Sequence, residues 1–457
     1  MPEVGMDGVQ FLSPEFQKAF QMAQQAERKP IESLERRKGS MSSKVELLNE
    51  VLGKIDGVKK LLPPLGTPVA FREFAVTADD PKVVTGSANK GVADPGKYGL
   101  EVMRLAKSAS AVTNRFEDKD KTHIGTGYIR FSTMDGSTKD LFVDNENATL
   151  DGVARLINNS RLGMKASVIN DQSDPEAPYR LMLIADGVGS QNDVEYPEFY
   201  LVDGEEDFFI DEEIDATNAL IRYEGFEIES PTNEITDLIP GVTLSIRGTT
   251  DPGKPTAITV EQDIPKTTIK VKNLVENLNQ VFGFIQQQNT LDEKSKTMDS
   301  LGGDYGIRAA EQRLKQALSM NFLGFDGIDR NVKSLGDIGI QFNRNGTLEF
   351  DEKKFENVLE SHYHEVTDFL TGDGTTGIIP RLSHALNSMT RPGDGLLSNQ
   401  KMNYSGQMSK IDTEIATKEK QAGVRVEKLK ERLAKAQGAL SSMEKQGAFF
   451  QGQPGGA

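Results

Sequence analysis

The chain has 457 residues, enough for about three domains of roughly 150 residues each, and carries a formal net charge of −16 with 27% charged and 37% hydrophobic residues. That balance argues against nucleic acid and anionic membrane surfaces, both of which would repel it. The absence of cysteine removes disulfides, thiolate metal sites and cysteine nucleophiles.

Residues 1–12 read as loose, and the first thirty lack the apolar stretch of a cleavable secretory signal. Ser13-Pro14 predicts a helix opening that runs to Lys29, with Phe16, Phe20 and Ala23 on one face. Pro30 is expected to interrupt it, and a short charged helix follows until Gly39. From about Ser42 to Leu62 the apolar residues Val45, Leu48, Leu52, Ile55 and Leu62 recur at spacings of three and four, with Lys59 breaking the run. That rhythm is the a/d seam of a coiled coil, and Pro63-Pro64, Gly66 and Pro68 end it.

From Phe71 onward the period changes to two. Tyr98, Leu100 and Val102 alternate, and Ile129 and Phe131 face Leu141 and Val143 across the hairpin signal Asp135-Gly136. Thr149 predicts the cap of a short helix bearing Val153, Leu156 and Ile157. Residues 166–169 and 180–184 read as strands, as do Val242–Ile246 and Ile258–Val260. Between them lies an acidic tract from Asp203 to Asp215, read as a solvated loop. It fails the calcium-loop template, because Phe208 stands where a glycine is needed and Ile214 where a bidentate glutamate is needed.

Helical spacing returns at Val271, with Leu274, Val275, Leu278, Val281, Phe282 and Ile285 forming a wide apolar stripe. A helix over Ile307 to Leu318 follows. Ile340 and Phe342 pair with Leu348 and Phe350 across Asn345-Gly346, and Asp351 caps the helix bearing Phe355, Val358 and Leu359. After the boundary at Gly393–Gly395, a helix of about 60 Å is expected from Asn403 to Met443. It carries a second seam of Ala422, Val426, Leu429, Leu433, Ala436, Leu440 and Met443, although Glu419 and two alanines weaken it. A loose tail is expected from Gly447.

Nothing in the sequence carries catalytic chemistry. His362 and His364 lie two apart, so they cannot form the i, i+4 pair of a zinc helix. His123 and His384 stand alone. Gly125-Thr126-Gly127 leads into strand-like residues, and Gly302-Gly303 reads as a turn into a helix rather than an anion cradle. No cofactor is expected. A seam near each end suggests that the two termini pack together as one stalk and hold the middle of the chain away from it.

Several stretches resemble the flagellar hook-associated protein 2 family, the filament caps. They are residues 26–31 (Ala-Glu-Arg-Lys-Pro-Ile), 80–85 and 95–102, together with 149–158 and 163–168, which resemble the flagellin/hook "IN" motif. The most specific are Asn233–Leu244, containing Asp237, Pro240 and Gly241, and Leu335–Ile340 with Asn345–Leu348 and Asp351, containing Gly339 and Gly346. The acidic tract is not a family motif.

The resemblance implies an α+β multidomain chain with a terminal helical coiled-coil stalk, a mixed helix/hairpin leg domain and a β-rich head of one or two domains. The stalk would take residues 1–40 and 400–457, and the leg 41–70 and 270–399. An inner head would take 71–112 and 217–269, and an outer head 113–216. It further implies a cap at the filament tip that helps exported flagellin fold into place, exported by the flagellar type III route without a cleaved signal. The implied partners are identical copies in a ring, flagellin, hook–filament junction proteins and an export chaperone. No nucleic acid and no membrane insertion are implied. A junction protein or a surface adhesin acting through the head are the rival readings. The Asp237–Leu244 motif and the leg hairpin favour the cap over the junction protein.

Overall fold

The computed structural model describes residues 12–132, 137–293, 300–319 and 330–451. The hairpin turn expected at Asp135-Gly136 and the loose segment expected at the N-terminus lie outside them. The chain divides into two compact units, residues 1–71 with 264–457, and residues 72–263.

The first unit is helical. Helix α1 (Pro14–Leu61) is continuous through both Pro30 and Gly39, contrary to the sequence expectation of two breaks. Pro30 lies on the exposed face, where water can satisfy the carbonyl it frees, and the buried Ile31 beside it holds the helix on its partner. Gly39, also exposed, costs about 1 kcal/mol, less than the packing on either side of it supplies. A short turn, α2 (Pro68–Phe71), ends this arm.

The core of the first unit joins Leu48, Val51, Ile55 and Val58 of α1 to the apolar stripe expected at 271–285, which belongs to α4 (Ile264–Glu293). Around them pack α5 (Tyr305–Leu318), the hairpin β16 (Ile340–Phe342)–β17 (Leu348–Phe350), α6 (Glu352–Ser361), α7 (Tyr363–Thr371) and α8 (Ile378–Thr390). Asp351 caps α6 by accepting from the Lys354 N–H at 3.0 Å. His362 sits in the break between α6 and α7, and His364 lies in the first turn of α7. Helix α9 (Leu396–Gln451) starts earlier and ends later than expected, running into the stretch from Gly447 that the sequence reads as loose; the rest of that stretch lies outside the described residues.

The second unit has two large cores and a small one on Ala109, Ala185 and Ala216. In one large core, the sheet β1 (Phe74–Ala78)–β15 (Thr256–Gln262)–β3 (Gly96–Arg104)–β11 (Ala219–Tyr223)–β12 (Phe226–Ser230) shares buried residues with the sheet β13 (Glu234–Ile239)–β14 (Val242–Ile246)–β2 (Val84–Ala88). In the other, α3 (Leu150–Ser160) and two sheets meet on Phe116, Ile129, Phe131, Ile157 and Leu181. These sheets are β10 (Ile210–Ile214)–β4 (Ser110–Thr113)–β8 (Tyr179–Ala185)–β7 (Met164–Asn170), and β6 (Thr138–Val143)–β5 (Thr126–Ser132)–β9 (Glu198–Val202). Thr149 caps α3, its hydroxyl accepting from the Gly152 N–H at 3.2 Å.

The acidic tract is not simply a solvated loop. Its second half is the edge strand β10, and Asp211 and Glu212 pair at 2.7 and 3.2 Å with Arg180, whose side chain is only 4% exposed. Arg180 Nε also donates to the Thr113 carbonyl at 2.6 Å, so the carboxylates neutralise a buried cation.

Candidate assembly interface

The long helices α1 and α9 pack on one another along most of their length. Their cross-contacts fix an antiparallel register. The Ser13 N–H donates to Gln437 Oε1 at 3.1 Å, Arg425 pairs with both oxygens of Glu27 at 3.1 Å, and Lys38 pairs with Asp412 at 2.6 Å. Lys44 Nζ then lies 5.8 Å from the centroid of the Tyr404 ring. Each step toward the C-terminus on α1 meets an equal step toward the N-terminus on α9. These pairs are half exposed and contribute at most about 1 kcal/mol each, so they set register rather than strength.

Strength comes from the apolar seam. On α1 the inward stripe is Phe16, Phe20, Ala23, Ile31, Leu34, Met41, Val45 and Leu48. On α9 it is Tyr404, Met408, Ile411, Ile415, Ala422, Val426, Leu429 and Leu433. Near the bundle core Tyr404 donates its hydroxyl to Asp304 Oδ2 at 2.5 Å, while the same carboxylate caps α5 by accepting from the Gly306 N–H at 2.7 Å. Burial, and then that hydrogen bond, push the Tyr404 phenol up to about 12. The Asp304 cap also fills the helix N-terminus beyond Gly302-Gly303.

The two seams read from the sequence are placed differently by the structure. Leu48, Ile55 and Leu62 are buried and Val45 and Leu52 half-buried, but Leu48, Ile55 and Leu62 belong to the unit's general core, along with Val51 and Val58, which the seam omitted. Lys59 Nζ bonds Thr390 Oγ1 on α8 at 3.2 Å. Along α9, Ala422 and Val426 are buried, and Leu429 and Leu433 half-buried. Beyond Leu433 the inward stripe passes to Gln437 and Ser441. Ala436 is exposed, as are Leu440 at 48% and Met443 at 70%.

The motif residues lie at turns and at one strand irregularity. Pro240-Gly241 joins β13 to β14, with Gly241 at φ 70°, and a Cβ there would lie 2.6 Å from the Ala93 nitrogen. The Gly241 carbonyl accepts from the Asn89 N–H at 2.7 Å. Asp237 adopts φ 65° at the irregularity within the β13–β14 ladder. Gly339 at φ 80° approaches the Asp351 carbonyl, and Gly346 at φ 81° turns the β16–β17 hairpin.

Asparagine brackets, which the sequence reading did not single out, tie these elements together. The Asn158 amide both donates to the Ala166 carbonyl and accepts from its N–H, at 2.8 and 2.9 Å. Asn233 does the same to Ala106, and Asn279 to Leu348. Among the described residues, no group of three or more His, Asp or Glu side chains is placed to hold a metal ion.

Two family profiles match the chain: Flagellar hook-associated protein 2 N-terminus over residues 15–109, and Flagellar hook-associated protein 2 C-terminus over residues 216–445. The A-type flagellar hook-associated protein 2 of Pseudomonas aeruginosa is 29% identical over 423 residues, covering 85% of this chain and 84% of its own length. The D1-D2-D3 domains of the flagellar cap protein FliD from Escherichia coli share the fold, with a TM-score of 0.57 at 21% identity over 79% of this chain and 99% of that one. The flagellar cap protein FliD from Bdellovibrio bacteriovorus is 40% identical over 40% of this chain and 99% of that one, with a TM-score of 0.37. The chain therefore belongs to the flagellar hook-associated protein 2 family, that of the flagellar cap proteins.

Proposed function

We propose that this chain is the repeating subunit of a filament cap. Identical copies assemble at the distal tip of the flagellum and guide exported flagellin into the growing end, resting on the hook–filament junction proteins at the start of growth. Export through the flagellar type III channel and escort by a chaperone belong to the same reading. So does the division of the chain into stalk, leg, inner head and outer head, with the first boundary falling inside the unbroken α1. The role is structural: the motif residues Pro240, Gly241, Gly339 and Gly346 serve it as turn formers, and Asp237 by bending β13.

The observation that supports the assembly reading is the heptad seam of α9, which turns away from α1 after Leu433 and runs on as an exposed apolar stripe. Ala436, Leu440 and Met443 keep the seam rhythm while facing solvent. An apolar stripe continuous with a packed one is the form of a surface completed by another subunit. A strain lacking its own cap protein tests this. The wild-type chain should restore swimming and full-length filaments. The double variant Leu440→Lys with Met443→Lys should be stably produced yet release unpolymerised flagellin into the medium. Failure of the wild-type chain to restore filaments counts against the cap role, and wild-type filaments from the double variant count against the seam.

A further inference from the structure

We infer that the outer face of the β6–β5–β9 sheet, together with the cleft beside β9, is a docking surface for an arginine- or lysine-bearing segment of a partner protein. Along β5, Ile129 and Phe131 point into the core, while Thr126, Tyr128, Arg130 and Ser132 turn outward. Across the strands, Tyr128 stands opposite Phe142 on one side and Tyr200 on the other. The three rings form a row, 51%, 55% and 52% exposed, and Tyr128 and Phe142 pack at 5.3 Å between centroids with their planes tilted by 53°. An aromatic row on an otherwise polar sheet face has the composition of a protein interface rather than of ordinary solvated surface.

The next row shows which chemistry this face takes. Arg130 pairs with Asp140 through two bonds of 2.8 and 2.9 Å, and its guanidinium lies 5.4 Å from the Tyr200 ring centroid. Glu198 accepts from the Tyr200 hydroxyl at 2.5 Å. The chain's own arginine thus displays the arrangement in miniature, a cation on an aromatic face with a carboxylate at its edge.

Glu198 also lines a cleft of about 530 Å³, shared with Asp193, Glu195, Glu213 and Asp215, and none of the residues lining that cleft is basic. Aromatic walls from Tyr196, Phe199 and Phe208 complete it. The Tyr196 phenol is pushed up to about 12, first by burial and then by Glu213, Asp193 and Asp215, consistent with a strongly negative interior.

Charge decides between a basic partner and a second copy of this chain. Residues 72–263 hold 36 acidic and 18 basic side chains, a net of −18. Two such surfaces brought face to face repel, whereas a basic segment is drawn in from a distance. The surface lies between the two stretches that match the family profiles, and its test does not depend on the cap reading.

The experiment is a fluorescence-anisotropy titration of the full chain with a labelled Gly-Arg-Gly-Arg-Gly-Arg-Gly peptide and its glutamate counterpart. The arginine peptide should bind and the glutamate peptide should not. Tyr128→Thr with Tyr200→Thr, and separately Glu195→Gln with Glu213→Gln, should each weaken binding about tenfold. The exposed acids Glu224→Gln with Asp251→Asn should change it less than about twofold. Circular dichroism shows that each variant is folded. Equal losses from all three pairs would reduce the effect to general attraction by an acidic surface and overturn the proposal. So would unchanged binding in the face variants, or a change in their sedimentation showing that the face instead joins copies of this chain.

Discussion

At the scale of single residues, the fold relies on side-chain amides that imitate a neighbouring strand. Asn158, Asn233 and Asn279 each satisfy both backbone groups of one residue, so Ala166, Ala106 and Leu348 are paired where the ladder supplies no partner. Only a carboxamide offers a donor and an acceptor side by side at this span. Asn279→Asp would replace the donor with an oxygen facing the Leu348 carbonyl, losing one bond and adding repulsion. The expected cost at pH 7 is about 2–3 kcal/mol. In that variant the folded state favours the protonated carboxyl, so its pKa is raised and stability is recovered below about pH 4 and lost as pH rises through the folded value. Denaturant midpoints at pH 7 and pH 3.5, compared with wild type, check both statements. A variant as stable as wild type at both values would show that the bracket contributes nothing.

At the scale of elements, the period of a helix decides which side chains meet. A strict heptad repeats every 3.5 residues, but a straight helix turns every 3.6, and the difference accumulates at ~20° per heptad. The seam Val426, Leu429, Leu433, Ala436, Leu440, Met443 keeps the heptad, while the face of α9 that meets α1 steps from Leu433 to Gln437 and Ser441. Val51 and Val58 enter the core of the first unit for another reason: the buried face of α1 there, Leu48, Val51, Ile55, Val58 and Leu62 with Leu52 beside it, is wider than a two-position seam.

Features set by local chemistry were therefore legible from sequence. Thr149 and Asp351 cap helices, and Asn345-Gly346 turns a hairpin, because each acts within four residues. Features set by what lies opposite were not. Pro30 and Gly39 signal a break, but α9 lies alongside and holds α1 together. The edge strand β10 hides in an acidic run because Arg180, thirty residues earlier, neutralises it. Two substitutions separate the two faces of α9. Val426→Lys places an ammonium at a position 7% exposed and should cost about 1–3 kcal/mol. Leu440→Lys changes a position 48% exposed and should leave the chain's own packing intact. Hydrogen exchange along α9 checks this: protection near residues 411–433 should fall in the first variant and stay at the wild-type level in the second. Equal loss in both would place Leu440 against α1.

At the scale of the whole molecule, charge is unevenly distributed. The first unit holds 33 acidic and 35 basic residues, close to neutral, so the net −16 of the chain resides in residues 72–263. Copies gathered into one assembly bring several units of −18 together. Their repulsion reaches ~30 Å at 0.01 M salt and ~8 Å at 0.15 M. The apolar seam of α9 is indifferent to salt over this range, so screening should act on the repulsion alone. Self-association of the purified chain should accordingly strengthen as salt rises from about 10 to 150 mM. Neutralising exposed acids of the second unit, for example Glu205→Gln with Glu206→Gln, should move the same transition to lower salt. Sedimentation velocity across a salt series measures both. Association that weakens with added salt would mean that opposite charges on neighbouring copies hold the assembly, and the seam would lose its claim to be the principal contact.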